Sequence, residues 1–286
     1  MPNRLSLLDS LLIDEELRGV LDRLPNRLNE FGYDPWGLNP KVMVRTLAVT
    51  RWLYRNYFRA SAHGLENIPE GRVLLIANHG GQLPMDGLVI GTAAILEGNP
   101  PRILRAMVER WVPTLPFLST LFTRCGQVVG NREDCRKLLE NDEAVLVFPE
   151  GARGSGKTIW RRYELQPFGL GFMRLALATG TPIVPVGVVG AEESIPSIYD
   201  FKSLARLFGA PYAPVPATLP LLGPLAMLPL PTKFVLNFGE PLYFDGDPDA
   251  TNAEVSDKVD QVMTRVGELI ERGRQQRQSI FEGLLQ

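Results

Sequence analysis

Residues 72–86 read RVLLIANHGGQLPMD, and this stretch decides how the chain is interpreted. A short apolar run leads into a glycine-rich loop that carries a histidine, His79, and an aspartate, Asp86. Similar apolar runs lie at 103–108, 127–129, 144–148, 183–188 and 234–238. Helical patterns alternate with them at 87–96, 131–140 and 168–178. This alternation predicts an α/β fold with a mainly parallel central sheet flanked by helices.

The two ends of the chain have apolar residues at helical spacing. The spacing covers residues 7–24, about Pro40 to Ala62, and the C-terminal stretch from Thr251. We therefore expect an N-terminal helical, membrane-associating segment (1–66) and an α/β domain (67–286).

The membrane expectation rests on the second helix, which has five cations and no acid between residues 41 and 60. At helical spacing the cations fall within an arc of roughly 120°. They are Lys41, Arg45, Arg51, Arg55 and Arg59. Two interpretations stay open: a solvated basic face on a surface helix, or an interfacial helix on anionic lipid.

The composition excludes several classes of protein. The 286 residues are 45% hydrophobic and 22% charged, which excludes wholesale disorder. The net charge of −2 gives no basic field, so we expect no nucleic-acid partner. The two cysteines cannot form a disulfide framework, and no zinc-site spacing occurs, so we expect no metal.

The hydropathy pattern predicts neither a signal peptide nor a transmembrane helix. Acidic residues interrupt the N-terminus, and no run of about 18 apolar residues is free of helix breakers. The run 208–232 has no charged residue, but its seven prolines exclude a long helix. We expect it to pack on protein or to dip into lipid. The expected location is peripheral, on the cytoplasmic side of a membrane.

His79 is the first candidate for chemistry because it follows a predicted strand. Ligands of α/β proteins collect at the carboxyl ends of strands. A histidine with a nearby carboxylate, here Asp86, has the parts of a general base and its orienting partner. In the alternative interpretation His79 closes a turn and Asp86 caps the next helix. The other histidine, His63, precedes Gly64 at a predicted turn, which favours a structural or solvent-exposed role.

Two further strand ends carry charged residues. Phe148-Pro149-Glu150-Gly151-Ala152-Arg153 follows one predicted strand, and Gly126 to Arg132 spans another. Glu150 and Arg153 together could clamp a polar or phosphorylated substrate, and arginine suits forked phosphate contacts.

With the strand 183–186, Ile-Val-Pro-Val, these blocks resemble the ordered signatures of the glycerolipid acyltransferase family, of the lysophosphatidic acid acyltransferase type. The resemblance covers about residues 72–244. It implies that His79 and Asp86 are the catalytic pair and that Arg132, Glu150, Gly151 and Arg153 shape the acceptor site. It also implies transfer of a fatty acyl group from acyl-CoA or acyl-carrier protein to a hydroxyl of a membrane glycerolipid, with no further cofactor.

A mechanism follows from this resemblance and from the lack of a Gly-x-Ser-x-Gly nucleophile motif. We expect direct transfer without a covalent enzyme intermediate, with His79 as the base. The main-chain N–H groups of Gly80 and Gly81 would hold the developing oxyanion.

Two features depart from the family pattern. Six residues separate His79 from Asp86, where four are usual, and Ala152 replaces the usual threonine. The longer loop resembles the monoacylglycerol-acyltransferase-like branch. A non-phosphorylated acceptor, such as monoacylglycerol, a glycolipid or another alcohol, is therefore the alternative substrate.

A remote alternative is a P-loop NTPase, because Gly151 to Thr158 satisfies the pattern Gly-x4-Gly-Lys-Thr. Pro167 would end the helix that this motif requires, and no downstream strand ends in a metal-binding aspartate. In the acyltransferase interpretation, Lys157, Arg161 and Arg162 are expected to contact donor phosphates or lipid headgroups.

Overall fold

The fold is seen in a computed structural model that describes residues 13–24, 27–108, 118–201, 203, 205 and 212–284. The helices are α1 (Glu15–Arg23), α2 (Pro40–Trp52), α3 (Met85–Leu96), α4 (Leu118–Arg124), α5 (Arg132–Glu140), α6 (Ala152–Ser155), α7 (Gly171–Thr179), α8 (Ala191–Ser194), α9 (Leu219–Leu222) and α10 (Asn252–Gln276). The strands are β1 (Ser61–His63), β2 (Val73–Ala77), β3 (Leu104–Val108), β4 (Val128–Val129), β5 (Ala144–Val147), β6 (Ile183–Val189), β7 (Ser197–Asp200), β8 (Pro214–Pro216) and β9 (Val235–Phe238).

Seven of these strands form one sheet in the order β1-β9-β6-β2-β5-β3-β4. The five strands from β6 to β4 run parallel, and β9 pairs antiparallel with β6. β2 lies between β5 and β6, with Leu75 opposite Leu146 on one side and Val184 on the other. The predicted α/β class with a mainly parallel sheet is confirmed.

The sheet is buried on both faces because its central strands are apolar throughout. In β2, Val73, Leu75 and Ala77 belong to one core cluster, and Leu74 and Ile76 belong to another. The first cluster is covered by α3 and by the π-helical turn that continues α2. The second is covered by α5, α7 and α10. This alternation is what a strand between two helical layers requires.

The second predicted helix is shorter than the sequence pattern indicates. α2 ends at Trp52, a π-helical turn continues to Tyr57, and residues 61–63 form β1 instead of helix. Arg59 has a positive φ of 46°, which stops the helix. Its guanidinium donates to the carbonyl oxygens of Pro231 and Glu282, at 2.6 and 2.8 Å. These contacts favour the turn over another helical turn.

Helix α1 packs on α2 through apolar and charged contacts. The pattern over 7–24 is realised as α1, with Asp14 as its N-cap, and residues 7–12 lie outside the described part. Arg51 pairs with Asp14 at 2.7 Å, and Arg55 pairs with Glu16 at 2.5 Å. Part of the basic face predicted for residues 41–59 is therefore neutralised within the protein.

The uncharged run 208–232 folds as short pieces, as its prolines predict. Residues 208–211 lie outside the described part. β8 pairs with β7, and α9 continues into a 3₁₀ turn, Gly223–Met227. Among the residues that the structure describes, no helix has the length and apolar character needed to cross a membrane.

Candidate active site

Three neighbouring strands end beside one another and carry the polar residues of the site. His79 follows β2, Glu150 follows β5 and Glu192 follows β6. Because these strands are parallel and adjacent, their carboxyl ends meet at one edge of the sheet. Asn78 ties two of them together: its side chain accepts from Val188 N at 2.7 Å and donates to Val188 O at 3.0 Å.

His79 and Asp86 are in direct contact across the long loop. His79 Nδ1 lies 2.6 Å from Asp86 Oδ2, so the six intervening residues do not keep the pair apart. The carboxylate can only accept here, which assigns the proton to Nδ1 and leaves the Nε2 lone pair for a substrate. The Asp86 side chain is fully buried, whereas 15% of the His79 side chain is exposed.

The environment of His79 favours its protonated form. Burial lowers the pKa of the imidazole, but the negative charges of Asp86 and Glu150 outweigh burial and the Lys157 charge, and the pKa lies above its ordinary value. The ring also stacks on Phe148, with centroids 4.4 Å apart. The imidazole is therefore fixed by a ring contact on its face and by a carboxylate at one nitrogen.

Asp86 is held by main-chain donors as well as by His79. Gly80 N donates to Oδ2 at 3.0 Å, and Gly87 N donates to Oδ1 at 2.8 Å. The predicted oxyanion role of the Gly80 N–H does not fit, because that group is already bonded to the buried carboxylate. Gly80 instead keeps the loop close to the pair.

Glu150 supports the same loop from behind. Its Oε1 accepts from His79 N at 2.9 Å, and its Oε2 accepts from Gln166 N at 2.8 Å. The side chain is buried. Both oxygens therefore bond to the main chain, and the carboxylate fixes the position of His79 instead of facing solvent as an acceptor clamp would.

Comparisons with known proteins show the family of the chain. A family model described as Acyltransferase matches residues 59–189, which include His79, Asp86 and Glu150. An uncharacterized protein of Mycobacterium leprae is 40% identical over 262 residues, which cover 90% of this chain and 70% of that protein. The chain belongs to the acyltransferase family. It is accordingly an O-acyltransferase.

Two further similarities concern lipid enzymes. The Mus musculus protein named DGAT1/2-independent enzyme synthesizing storage lipids is 27% identical over 206 residues, covering 69% of this chain and 56% of that enzyme. The crystal structure of the 1-acyl-sn-glycerophosphate (LPA) acyltransferase PlsC of Thermotoga maritima matches with a TM-score of 0.51 and 19% identity, over 93% of this chain and 86% of that one. The latter establishes the common α/β fold.

Other predicted site residues of the acyltransferase lie nearer solvent. Gly151 is the N-cap of α6 and has a φ of +56°, a conformation that favours glycine. Arg153 is exposed and donates to Pro167 O at 2.9 Å. Arg132 is exposed at the start of α5. It follows β4, which is three strands from β2, about 14 Å across the sheet.

Lys157 does not occupy the position that either interpretation of its motif predicts. Its Nζ lies 2.7 Å from Glu192 Oε1 and 3.4 Å from Glu150 Oε2, and 3% of its side chain is exposed. A P-loop would lead from this lysine into a helix, but only a 3₁₀ turn, Ile159–Arg161, follows. Both the NTPase hypothesis and a phosphate contact by Lys157 are wrong for this geometry. Arg161 and Arg162 are exposed.

A second buried ionic group was missed in the sequence. Glu193 pairs with Arg277 at 2.6 Å and accepts from the Tyr163 hydroxyl at 2.6 Å. With Glu192 it follows β6, so the rule that singled out His79 and Glu150 at strand ends also applied here. Within the described residues, no group of three or more His, Cys, Asp or Glu side chains is placed to hold a metal ion.

Proposed function

We propose that this acyltransferase moves a fatty acyl group from a thioester, acyl-CoA or acyl-carrier protein, to a hydroxyl of a glycerolipid. The observation that carries the proposal is the His79–Asp86 contact of 2.6 Å at the carboxyl end of β2, with Nε2 directed away from the carboxylate. The named functions of the Mus musculus and Thermotoga maritima proteins support a lipid acceptor.

The proposed reaction uses His79 as a general base. Nε2 takes the proton of the acceptor hydroxyl while its oxygen attacks the thioester carbonyl carbon. The C–S bond then breaks, and the leaving thiolate takes the proton back from the imidazolium. Asp86 stabilises the imidazolium during this exchange. Of the two glycine amides predicted for the oxyanion, the proposal retains that of Gly81.

The proposed acceptor is either a phosphorylated or a non-phosphorylated glycerolipid. Lysophosphatidic acid requires a cationic phosphate site, for which Arg153 and the more distant Arg132 are the candidates. A non-phosphorylated acceptor, such as monoacylglycerol, is the second candidate. The burial of Lys157 favours it, because this cation is paired with two carboxylates and is not available to a phosphate.

We also propose that the enzyme works at a membrane surface, as a peripheral protein on the cytoplasmic side. The support is an apolar surface, here called the leucine surface, formed by Leu221, Leu225 and Leu228 with exposed fractions of 86%, 62% and 60%. Tyr57, at the end of the π-helical turn, donates to Pro229 O at 2.6 Å, next to the leucine surface. The exposed Trp52 contacts the Tyr57 ring. Large exposed apolar surfaces are typical of interaction sites.

The deciding experiment offers the purified enzyme labelled acyl-CoA or acyl-carrier protein with a panel of acceptors. The panel contains lysophosphatidic acid, lysophosphatidylglycerol, monoacylglycerol and a long-chain alcohol, with His79→Ala as the blank. Transfer to lysophosphatidic acid supports the phosphorylated acceptor, and transfer only to monoacylglycerol or the alcohol supports the second candidate. Release of free fatty acid with no acylated product from any acceptor would contradict the proposal.

A further inference from the structure

Lys157 is a buried cation directly behind the His79 loop. Its ammonium group faces Glu192 Oε1 at 2.7 Å, Glu150 Oε2 at 3.4 Å and the carbonyl oxygen of Glu164 at 3.2 Å. The contacts with Glu164 and Glu192 are hydrogen bonds, and the contact with Glu150 is an ion pair. Only 3% of the Lys157 side chain is exposed, so the residue must act through these protein partners.

The first partner, Glu150, connects Lys157 to the catalytic loop. The Glu150 carboxylate bonds to the main-chain N–H of His79 and to that of Gln166. A buried carboxylate is costly unless a cation compensates it. Lys157 provides that charge, because its Nζ lies beside the oxygen that also accepts from Gln166.

The second partner, Glu192, holds Lys157 from the other side. Its Oε2 accepts from Tyr163 N, which fixes the carboxylate to the chain after the 3₁₀ turn. Burial raises the pKa of Glu192 to about 6, and Lys157 opposes that rise. Glu192 also packs against the catalytic loop: a Cβ at position 80 would lie 2.3 Å from its Cγ, so only glycine fits there.

We propose that Lys157 is a positioning residue for the transfer reaction, held by Glu192, and that it fixes Glu150 against the main chain of His79. Lys157, Glu150 and Glu192 thereby set the position of the imidazole relative to Asp86 and to a bound hydroxyl. This inference rests on the proposed general-base role of His79. The residue acts through Glu150 and contacts neither donor nor acceptor.

The kinetic test replaces the charge while keeping the length of the side chain. In Lys157→Met, kcat should fall roughly 100-fold, the effect of a small displacement of a catalytic group, while both KM values change less than about twofold. Lys137→Met is the matched control, because Lys137 is an exposed lysine on α5. Its kcat should equal that of the natural enzyme.

Two acyl donors distinguish a positioning role of Lys157 from phosphate binding by Lys157. Acyl-CoA carries phosphates, whereas the acyl thioester of pantetheine carries none. The proposal expects the same fold loss of kcat with both donors. A rise in KM for acyl-CoA alone, absent with acyl-pantetheine, would overturn it in favour of a donor contact.

Glu192→Gln provides a second variant of nearly unchanged shape. It should lower kcat about tenfold, less than Lys157→Met, because Glu150 still pairs with the lysine. If Glu192 acts through Lys157, the double variant should be no slower than Lys157→Met alone within about twofold. If the kcat losses of the two single variants multiply in the double variant, Glu192 and Lys157 act independently and the proposed coupling is wrong.

A spectroscopic readout keeps the test independent of any substrate. The chain has two histidines, so an imidazole ¹⁵N NMR titration follows two rings with two nitrogens each, and His63→Gln assigns their signals. The charged groups facing His79 are Asp86 of α3, Glu150 after β5 and Lys157 after α6. Lys157 lowers the His79 pKa, so Lys157→Met should raise it and move the acid limb of kcat/KM to higher pH.

The NMR result separates failure of this inference from failure of the proposed function. An unchanged His79 signal and pKa in folded Lys157→Met would overturn the positioning role, whatever the enzyme transfers. A shifted His79 signal in an enzyme whose His79→Ala variant retains full activity would support the positioning and overturn the base assignment instead.

Discussion

The region behind His79 and the leucine surface both depart from the rule that charged residues are exposed and apolar residues buried, each in the opposite sense. Behind His79, Asp86, Glu150, Lys157 and Glu192 are charged groups removed from water. On the leucine surface, leucines of α9 and the following 3₁₀ turn are exposed. Buried charge and exposed apolar area both cost stability, so their presence indicates a use. In the function that we propose, the first region fixes the proton acceptor and the second contacts lipid.

The two regions should therefore respond differently to mutation. Substitutions behind His79 should change the rate of chemistry and leave membrane binding intact. Substitutions on the leucine surface should change membrane binding and leave chemistry on soluble short-chain substrates intact.

The largest effect is expected from His79→Ala. Loss of the general base should lower kcat/KM by about 10³-fold or more, because no other described side chain is bonded to Asp86 at the end of β2. Vesicle binding should stay close to that of the natural enzyme, and the fold should stay intact. His63→Ala, at an exposed position, is the matched control and should be fully active. Near-normal turnover in His79→Ala would contradict the assignment of His79 as the general base.

Asp86→Asn should have the next largest effect, about 10²- to 10³-fold in the plateau value of kcat/KM. The carboxylate now raises the His79 pKa, so the amide should lower it and move the acid limb of the pH–rate profile to lower pH. The measurement is kcat/KM from pH 5 to 9, with the exposed Asp142→Asn as control. A limb that stays in place would show that Asp86 does not set the titration.

The same raised pKa makes a stability prediction with a definite sign. A histidine whose folded pKa exceeds its unfolded value of 6.5 stabilises the fold fully below that pH. The contribution is lost as the pH rises through the folded-state value. Unfolding in denaturant should therefore give a stability difference between the natural enzyme and Asp86→Asn that shrinks as the pH rises above 6.5.

The sequence predicts the His79–Asp86 pair far better than the ion pairs behind it. His79 and Asp86 stand at a strand end in a recognisable order, and buried strands such as Val73–Ala77 have an unambiguous apolar pattern. The Glu192–Lys157–Glu150 contacts join residues that are far apart in the chain. Their pairing depends on β6 and β5 lying on either side of β2, a strand order that local pattern does not contain.

Arg51, Arg55 and Arg59 illustrate the same limit. Helical spacing predicts them on one arc of a single helix, but only Arg51 lies in α2, Arg55 lies in the π-helical turn, and Arg59 follows that turn. Their partners also lie elsewhere in the chain. Asp14 and Glu16 of the α1 region take the first two, and carbonyl oxygens of residues 231 and 282 take the third. Periodicity locates a face of a helix; it does not say what covers that face.

A smaller effect is expected on the leucine surface. Leu221→Ser with Leu225→Ser should weaken binding to phosphatidylcholine vesicles about tenfold or more, since burying a leucine contributes about 1.5–3 kcal/mol. Unfolding stability should stay within about 0.5 kcal/mol, because both side chains are exposed. Sedimentation with vesicles is the measurement, and Tyr243→Ser, an exposed aromatic beside α10, is the control.

Salt distinguishes the leucine surface from the basic face of α2. Apolar insertion should persist in 0.5 M salt, whereas binding through the arginines should be lost as the charges are screened. Unchanged vesicle binding in the double serine variant, or binding abolished by salt, would assign the membrane contact to α2 instead.

The smallest effect is expected from Arg132→Ala. If the acceptor is not phosphorylated, its KM should change less than about twofold, because Arg132 is exposed and β4 lies three strands from β2. If lysophosphatidic acid is the acceptor and Arg132 binds its phosphate, the KM should rise about tenfold, which corresponds to losing one exposed charged hydrogen bond of about 1.5 kcal/mol. Initial rates over a range of acceptor concentrations decide between them, with the exposed Arg136→Ala of the same helix as control. A large effect would extend the site along the sheet edge from β2 to β4, and a small one would confine it to the edge formed by β5, β2 and β6.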